Sequence, residues 1–264
     1  MLTPGGGENV INLPGGVPLV LVRIPSGSFD MGSPDFERSR NSNEGPLHKV
    51  TIAYDFFMGK YELTQAQWQA VMGGWPSTTR QPTTEYGIGP DYPAYYVSWN
   101  DAKVFIAKLN DHIEVTGQGS LRVRLPSEAE WEYACRARTQ TRFSFGDSLS
   151  VADRCEDDLN RSRYMWYCGN NVPNGTKPVG SLLPNGFGLF DMHGNVLEWC
   201  EDPYHDSYTG APVDGSVWAG TSSGRVYRGG YWYDGAEACR SACRYNDNAP
   251  PGSNSSLGFR LAAD

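Results

Sequence analysis

Arg124-Leu-Pro-Ser-Glu-Ala-Glu-Trp-Glu-Tyr-Ala134 packs a helix start and a core anchor into one short stretch. Ser127 stands three residues before Glu130. Its hydroxyl can accept from a first-turn amide while the acid bonds back to the cap. Trp131, Ala134 and Cys135 then recur at helical spacing. The same device stands at Thr64 with Gln67, and at Ser98 with Asp101, an acid shorter than the usual Glu or Gln. Trp68 and Val71 follow the first; Ala102, Phe105, Ile106 and Leu109 follow the second. Three helices are expected, opening at 64, 98 and 127.

Outward from these helices the chain reads as short strands and turns. Strand patterns cover 17–24, 29–31 and a region over 50–58 that leads into Tyr61-Glu-Leu63; later ones cover 186–190, 196–199, 225–231 and 258–261. Residues 147–184 read as loop. Gly (31) and Pro (18) are frequent and aromatics reach 12%, which suits irregular backbone pinned by large side chains. No repeat or linker divides the 264 residues. The expectation is one α+β domain over 1–264, with few helices, short strands and much ordered loop.

The net charge of −8 argues against general nucleic-acid binding, which needs a basic face. No apolar run reaches the roughly 18 residues of a membrane span. The start, 1–9, lacks the charged-then-apolar pattern of a signal peptide. None of the six cysteines forms a CxxC pair, which speaks against zinc. Cys155 and Cys168 could bridge a loop or remain free, buried thiols.

Seven pieces occur in order along nearly the whole chain. They are Ile24-Pro-Ser-Gly-Ser-Phe29 with Met31-Gly-Ser33; His48-Lys-Val-Thr-Ile52; Tyr61-Glu-Leu-Thr64; Val97-Ser-Trp-Asn-Asp-Ala102; the stretch 124–134; Pro184-Asn-Gly-Phe-Gly-Leu-Phe-Asp-Met-His-Gly-Asn-Val-Leu-Glu-Trp199; and Arg228-Gly-Gly230 with Leu257-Gly-Phe-Arg260. Together they resemble the formylglycine-generating-enzyme family, and the resemblance implies a C-type lectin-like fold. It also implies oxidation of a substrate cysteine, similar to copper-thiolate chemistry, at two reactive cysteines soon after the Gly-Gly pair. Here 231–238 contains no cysteine; Cys239 and Cys243 come later, and neither carries over as that pair. A branch resembling ergothioneine-forming sulfoxide synthases holds iron with three histidines. His48, His112, His193 and His205 are dispersed, with no HxxxH pair. No redox cofactor is expected. The resemblance further implies a structural calcium loop whose ligands would be Asp191, Gly194, Val196 and Glu198. Carboxylates mixed with carbonyls suit that ion; the alternative is that Glu198 bonds loop amides with no metal.

Within 225–261 two kinds of residue interleave. One reads as framework: Val226, Arg228-Gly-Gly230, Trp232, Ala236, Ala238, Arg240-Ser-Ala242, Arg244, Pro250 and Leu257-Gly-Phe-Arg-Leu261. The other is Tyr227, Tyr231, Tyr233, Asp234, Gly235, Cys243, Tyr245, Asn246, Asp247, Asn248, Gly252, Ser253, Asn254, Ser255 and Ser256. Its six residue types are all reachable from an asparagine codon by replacing adenines; Glu237 is not. The pattern resembles the variable region of diversity-generating retroelement proteins, which have a similar fold. Tyr with Ser, Gly and Asn is also the alphabet of antibody paratopes. Tyr227, Tyr231, Tyr233 and Tyr245 would be the anchors. The bland alternative is a polar, loop-rich terminus with core tyrosines.

The expectation is a ligand-binding, receptor-recognition protein rather than an enzyme. It would sit on a phage or virus particle (tail or fibre) or a cell surface, and bind a protein on another cell. An oxidase or iron-dependent synthase of the formylglycine type, and a carbohydrate-binding module, are the alternatives.

Overall fold

The computed structural model describes residues 6–147, 152–247 and 252–264. The strands in chain order are β1 (Gly6–Asn12), β2 (Pro18–Ile24), β3 (Gly27–Met31), β4 (His48–Ile52), β5 (Phe56–Gly59), β6 (Val123–Arg124), β7 (Leu197–Pro203), β8 (Arg225–Arg228), β9 (Arg244–Asp247), β10 (Leu257–Gly258) and β11 (Ala262–Ala263). The helices are α1 (Gln65–Met72), α2 (Trp99–Thr116) and α3 (Glu128–Arg136).

All three helices open as expected. Thr64, Ser98 and Ser127 accept from the amides of Gln67, Asp101 and Glu130 at 3.2, 3.1 and 3.0 Å, and each third-position side chain bonds back. The short Asp101 closes its box too, at 3.1 Å. Such caps satisfy amides that a helix leaves orphaned.

The strands form three sheets. The first runs β1-β2-β5-β11-β6, so the C-terminal strand is threaded between β5 and β6. The second runs β10-β7-β8-β9 and the third is the β3-β4 ribbon. One core cluster gathers Trp68, Phe105, Leu109, Trp199 and Phe259 between the first two helices and the sheets. A second gathers Phe29, Ile52, Trp131 and Val226 around α3. No helix among the described residues is long and apolar enough to cross a membrane.

Strand bounds differ from the sequence reading at several places, with β7 running on to Pro203 and β3 starting at Gly27. The region 50–58 splits into β4 and β5, which join different sheets; Asp55 accepts from the Ser26 amide at 2.7 Å and pairs with Arg23 at the corner. Residues 186–190 are a turn, because the Asn185 side chain accepts from the amides of Phe187 and Leu189 at 3.0 and 3.1 Å. Of the segment 258–261 only Gly258 lies in a strand, β10, and 259–261 lead from it to β11. The 225–231 pattern stops at Arg228, where Gly229 and Gly230 take φ of +101° and +73°. A β-carbon on Gly230 would stand 2.5 Å from the Cys239 sulfur. Glycine here supplies both the left-handed backbone and the close approach. Strands β1 and β9 carry no apolar alternation and form on the strength of their partners, β2 and β8.

Candidate functional site

The framework of the C-terminal segment is built from arginines. Arg228, Arg240, Arg244 and Arg260 are at most 1% exposed, and each reaches a carboxylate outside the segment. Arg228 pairs with Glu128 and Glu132 on α3 and also holds the Ala242 and Ser241 carbonyls at 3.0 and 2.9 Å. Arg240 meets Glu37 and Glu44, each at 2.6 Å. Arg244 grips both oxygens of Glu128, at 2.7 and 2.6 Å. Arg260 lies along Glu198, at 2.8 Å. Buried ion pairs add little net stability over an apolar core but fix one arrangement, and losing one partner is costly.

Between these clamps the other residues separate into three groups. On β8 and β9, strand alternation turns Tyr227 and Tyr245 to one face. Their rings stack at 5.9 Å, and Tyr227 meets Trp199 edge-on at 5.4 Å. In the turn after Gly230, the Asp234 carboxylate accepts from the Tyr231 amide at 3.2 Å, and Tyr233 is 58% exposed. Burial, then Glu237, pushes the Asp234 carboxyl up to about 7. Gly235 lies against the Glu237 carboxylate. In 252–256, the Asn254 side chain accepts from the amide and hydroxyl of Ser256 at 2.9 and 2.7 Å. Ser255 presents its carbonyl to the Trp232 indole, while Gly252 and Ser253 are half-buried and Asn254 is exposed.

Some residues of the set do not share this surface. Cys243 is 1% exposed, its thiol bonded to the Tyr245 hydroxyl and pushed up to about 11 by burial. Ser256 is 8% exposed, turned in by its bond to Asn254. Asn246 pairs in register with Val226, so its side chain shares the opposite face from Tyr227 and Tyr245. Asp247 ends β9, its backbone in register with Arg225, and its side chain lies outside the described part of the structure. Asn248, like Pro250 of the framework set, lies outside the described residues.

The structure brings one thiol and one histidine together, with the Cys135 sulfur 3.7 Å from His193 Nε2. Cys135, Cys200, Cys239 and Cys243 are free and buried. Burial holds the Cys239 thiol well above its ordinary range, whereas a nucleophilic thiolate needs a lowered one. His193 is locked between the Cys239 carbonyl (2.8 Å) and the Ser144 amide (3.1 Å). His48 bonds the Pro46 carbonyl, His112 the Asn12 carbonyl, and His205 stacks on Trp218 at 3.6 Å. Cys155 and Cys168 form a disulfide.

The 191–198 loop presents a mixed picture for calcium. Asp191 is buried and one of its oxygens lacks a hydrogen-bond partner, which suits a cation. The Glu198 carboxylate already accepts from Arg260 and, at 2.7 Å, from the Trp131 indole. The Val196 amide is tied to Glu62 at 3.0 Å, and the Gly194 amide to the Gly229 carbonyl at 2.8 Å.

Residues 18–264 match the sulfatase-modifying factor enzyme 1-like domain. The chain belongs to this family. The formylglycine-generating enzyme of Thermomonospora curvata is 28% identical, over 92% of this chain and 93% of its own length. Among solved structures, PvdO from Pseudomonas aeruginosa is 34% identical with a TM-score of 0.80, and each chain is covered to 100%. Treponema denticola variable protein 1 is 29% identical with a TM-score of 0.77, over 97% of this chain and 98% of that one. The α+β, C-type lectin-like fold expected from the family motifs is the fold of this chain. Its relatives thus include both a named enzyme and a named variable protein.

Proposed function

We propose that this chain is a ligand-binding protein whose segment 225–261 displays interchangeable residues on a fixed scaffold, in the manner of a retroelement-diversified protein. The observation that carries this reading is the sorting within the segment. Buried arginines anchor it to distant acids, while Tyr227, Tyr231, Tyr233, Tyr245, Asn254 and Ser255 lie outside those clamps. The likeness to a variable protein over nearly its full length supports it. The disulfide suits an oxidising compartment, and we place the protein on a particle or cell surface, facing a protein ligand. The coding region tests this. A near-copy template with adenines at these codons, beside a reverse transcriptase gene, is expected; its absence overturns diversification.

Relatives named formylglycine-generating enzyme favour an oxidase as the second reading. Copper-dependent oxygen consumption with a cysteine peptide would support it. Our reading expects none, because the candidate thiols are buried and protonated.

We also propose a structural calcium ion at Asp191, with the Gly194 and Val196 carbonyls, and with Glu198 shared between the ion and Arg260. The unpartnered Asp191 oxygen supports this. Binding requires calcium to raise Tm and Asp191→Ala to abolish the increase; an unchanged Tm removes it.

A further inference from the structure

The turn at 231–235 and the loop at 252–256 meet on Trp232, which is only 6% exposed. Its indole donates to the Ser255 carbonyl at 3.5 Å, and Tyr231 and Tyr233 flank its ring at 5.8 and 5.5 Å. A third tyrosine reaches the same ring from far outside the segment. Tyr86 lies 5.9 Å from it, centroid to centroid.

The loop that carries Tyr86 is fastened along its length. The Tyr86 carbonyl accepts from both the amide and the hydroxyl of Thr176, at 2.9 and 2.7 Å. The Tyr95 hydroxyl ties Thr83 to Gly87. Gln65 bonds the Gly87 carbonyl at 3.1 Å and accepts from the Gly89 amide at 3.1 Å. At the loop's end Tyr96 holds a φ of 59° and donates its amide to the Asn254 carbonyl at 3.0 Å. A bulky residue keeps such a conformation only where its surroundings enforce it, and here that place is the contact with 252–256.

We propose that Tyr86 is a constant anchor of the ligand surface, held against Trp232 and shared by every version of the C-terminal segment, and that its ligand is a protein presenting Lys or Arg. This rests on the recognition reading above. Tyr86 is half-buried, so part of its ring stays open beside Tyr233 on the other flank of Trp232. A pre-placed aromatic ring gives contact area at small entropic cost. Its hydroxyl bonds Glu85, and Asp91 on the same loop is also exposed. An aromatic face beside the Glu85 carboxylate attracts a cationic side chain, which a neutral glycan does not offer.

The test uses the full chain displayed on yeast and randomised at Tyr231, Tyr233, Asp234, Asn254 and Ser255, with hen-egg lysozyme, a basic protein, as the probe. Tyr86→Ala is then placed in each selected binder. An anchor predicts affinity losses of about tenfold across unrelated binders, an unchanged Tm, and retention in Tyr86→Phe. Lysozyme binders indifferent to Tyr86→Ala overturn the anchor and leave the recognition reading standing. A lowered Tm that Tyr86→Leu restores together with affinity assigns Tyr86 to packing, and also overturns it. Tyr86-dependent glycan-array binding by the unaltered chain, without Tyr86-dependent lysozyme binders, overturns the protein ligand. A folded library that yields no binder of any kind overturns the recognition reading itself.

Discussion

Arg228 and Tyr227 are neighbours on one strand, yet the fold treats them as different materials. The Arg228 side chain is wholly buried against α3, while the Tyr227 ring rests half-open on Trp199. Arg244 and Tyr245 repeat the contrast on the adjoining strand. Successive residues of a strand face opposite ways, so one short segment can be fixed on one face and free on the other. The arginines' partners, Glu44, Glu128, Glu132 and Glu198, all lie outside the segment. The arginine clamps themselves make no contact that depends on which residue stands at these tyrosine positions.

Breaking an arginine clamp should produce the largest effect. Arg240→Ala leaves Glu44, which is buried and paired to Arg240 through both oxygens, without its counter-charge. A loss of about 3–5 kcal/mol is expected from urea unfolding. Arg240→Met combined with Glu44→Leu and Glu37→Gln should recover part of that loss, because the triple change removes the arginine and both carboxylates that it pairs with. A single-variant loss under about 1 kcal/mol would mean that the clamp does not fix the segment.

The disulfide braces the exposed side of the contrast. Cys155–Cys168 closes a loop that, with Asp153 just before it, is bonded to the C-terminal side of the 231–235 turn. The Cys168 amide bonds the Asp234 carbonyl at 3.0 Å, and the Glu237 amide bonds the Asp153 carbonyl at 2.8 Å. Replacing both cysteines with serine should lower stability by about 3 kcal/mol, the loop-closure value for a ring near 15 residues. Amide exchange should rise at 231–237 before it rises in the helices. Uniform exchange across the chain would separate the disulfide from the turn.

The helices were legible in the sequence because their signals are local: a cap, a third-position partner and a 3.6-residue apolar rhythm around Trp68, Phe105 and Trp131. The interleaving of Arg228, Arg240 and Arg244 with Tyr, Asn and Ser was legible as composition. What the arginines bind was not, since Glu44 stands 196 residues from Arg240 in the chain. Strand β9 was missed because Arg-Tyr-Asn-Asp has no apolar alternation and takes its register from β8. Cys243 fitted the residue alphabet of the surface, but alphabet carries no direction, and the fold turns its thiol inward. Tyr86 lacked any signal in the segment because its link to Trp232 exists only in the folded chain.

Asp234 sits on the boundary between the two kinds of residue, and pH can move it. Burial raises its carboxyl to about 7, so the folded state holds a proton that the unfolded chain releases near pH 4. Its neutral form is tolerated in both states below that point. As pH rises from about 4 to 7 the folded state loses stability relative to the unfolded one. Asp191 and Asp202, raised to about 6 and 7, slope the same way, so the comparison must be between variants. Asp234→Asn should be more stable than the parent at pH 8, on the order of 2 kcal/mol, and equal to it near pH 4. Parallel Tm profiles for the two proteins would place Asp234 among the solvated residues.

The smallest expected effect is the one that most sharpens the contrast. Tyr233 is 58% exposed and touches the body of the protein through the Trp232 ring, at 5.5 Å. An exposed aromatic contact of that kind contributes little to folding, so Tyr233→Ala should change stability by less than about 0.5 kcal/mol. Tyr233→Asn and Tyr233→Ser should behave alike, since none of the three removes a bond that the scaffold needs. Tyr227→Ala is the internal comparison. Its ring packs on Trp199 and Tyr245, and its hydroxyl donates to the Asn246 carbonyl at 3.0 Å, so it should cost about 1–2 kcal/mol. Equal losses at 227 and 233 would show that the tyrosines form a single class. Unequal losses in this order would make the surface graded, with Tyr233 the position freest to vary and Tyr227 tied to the core it covers.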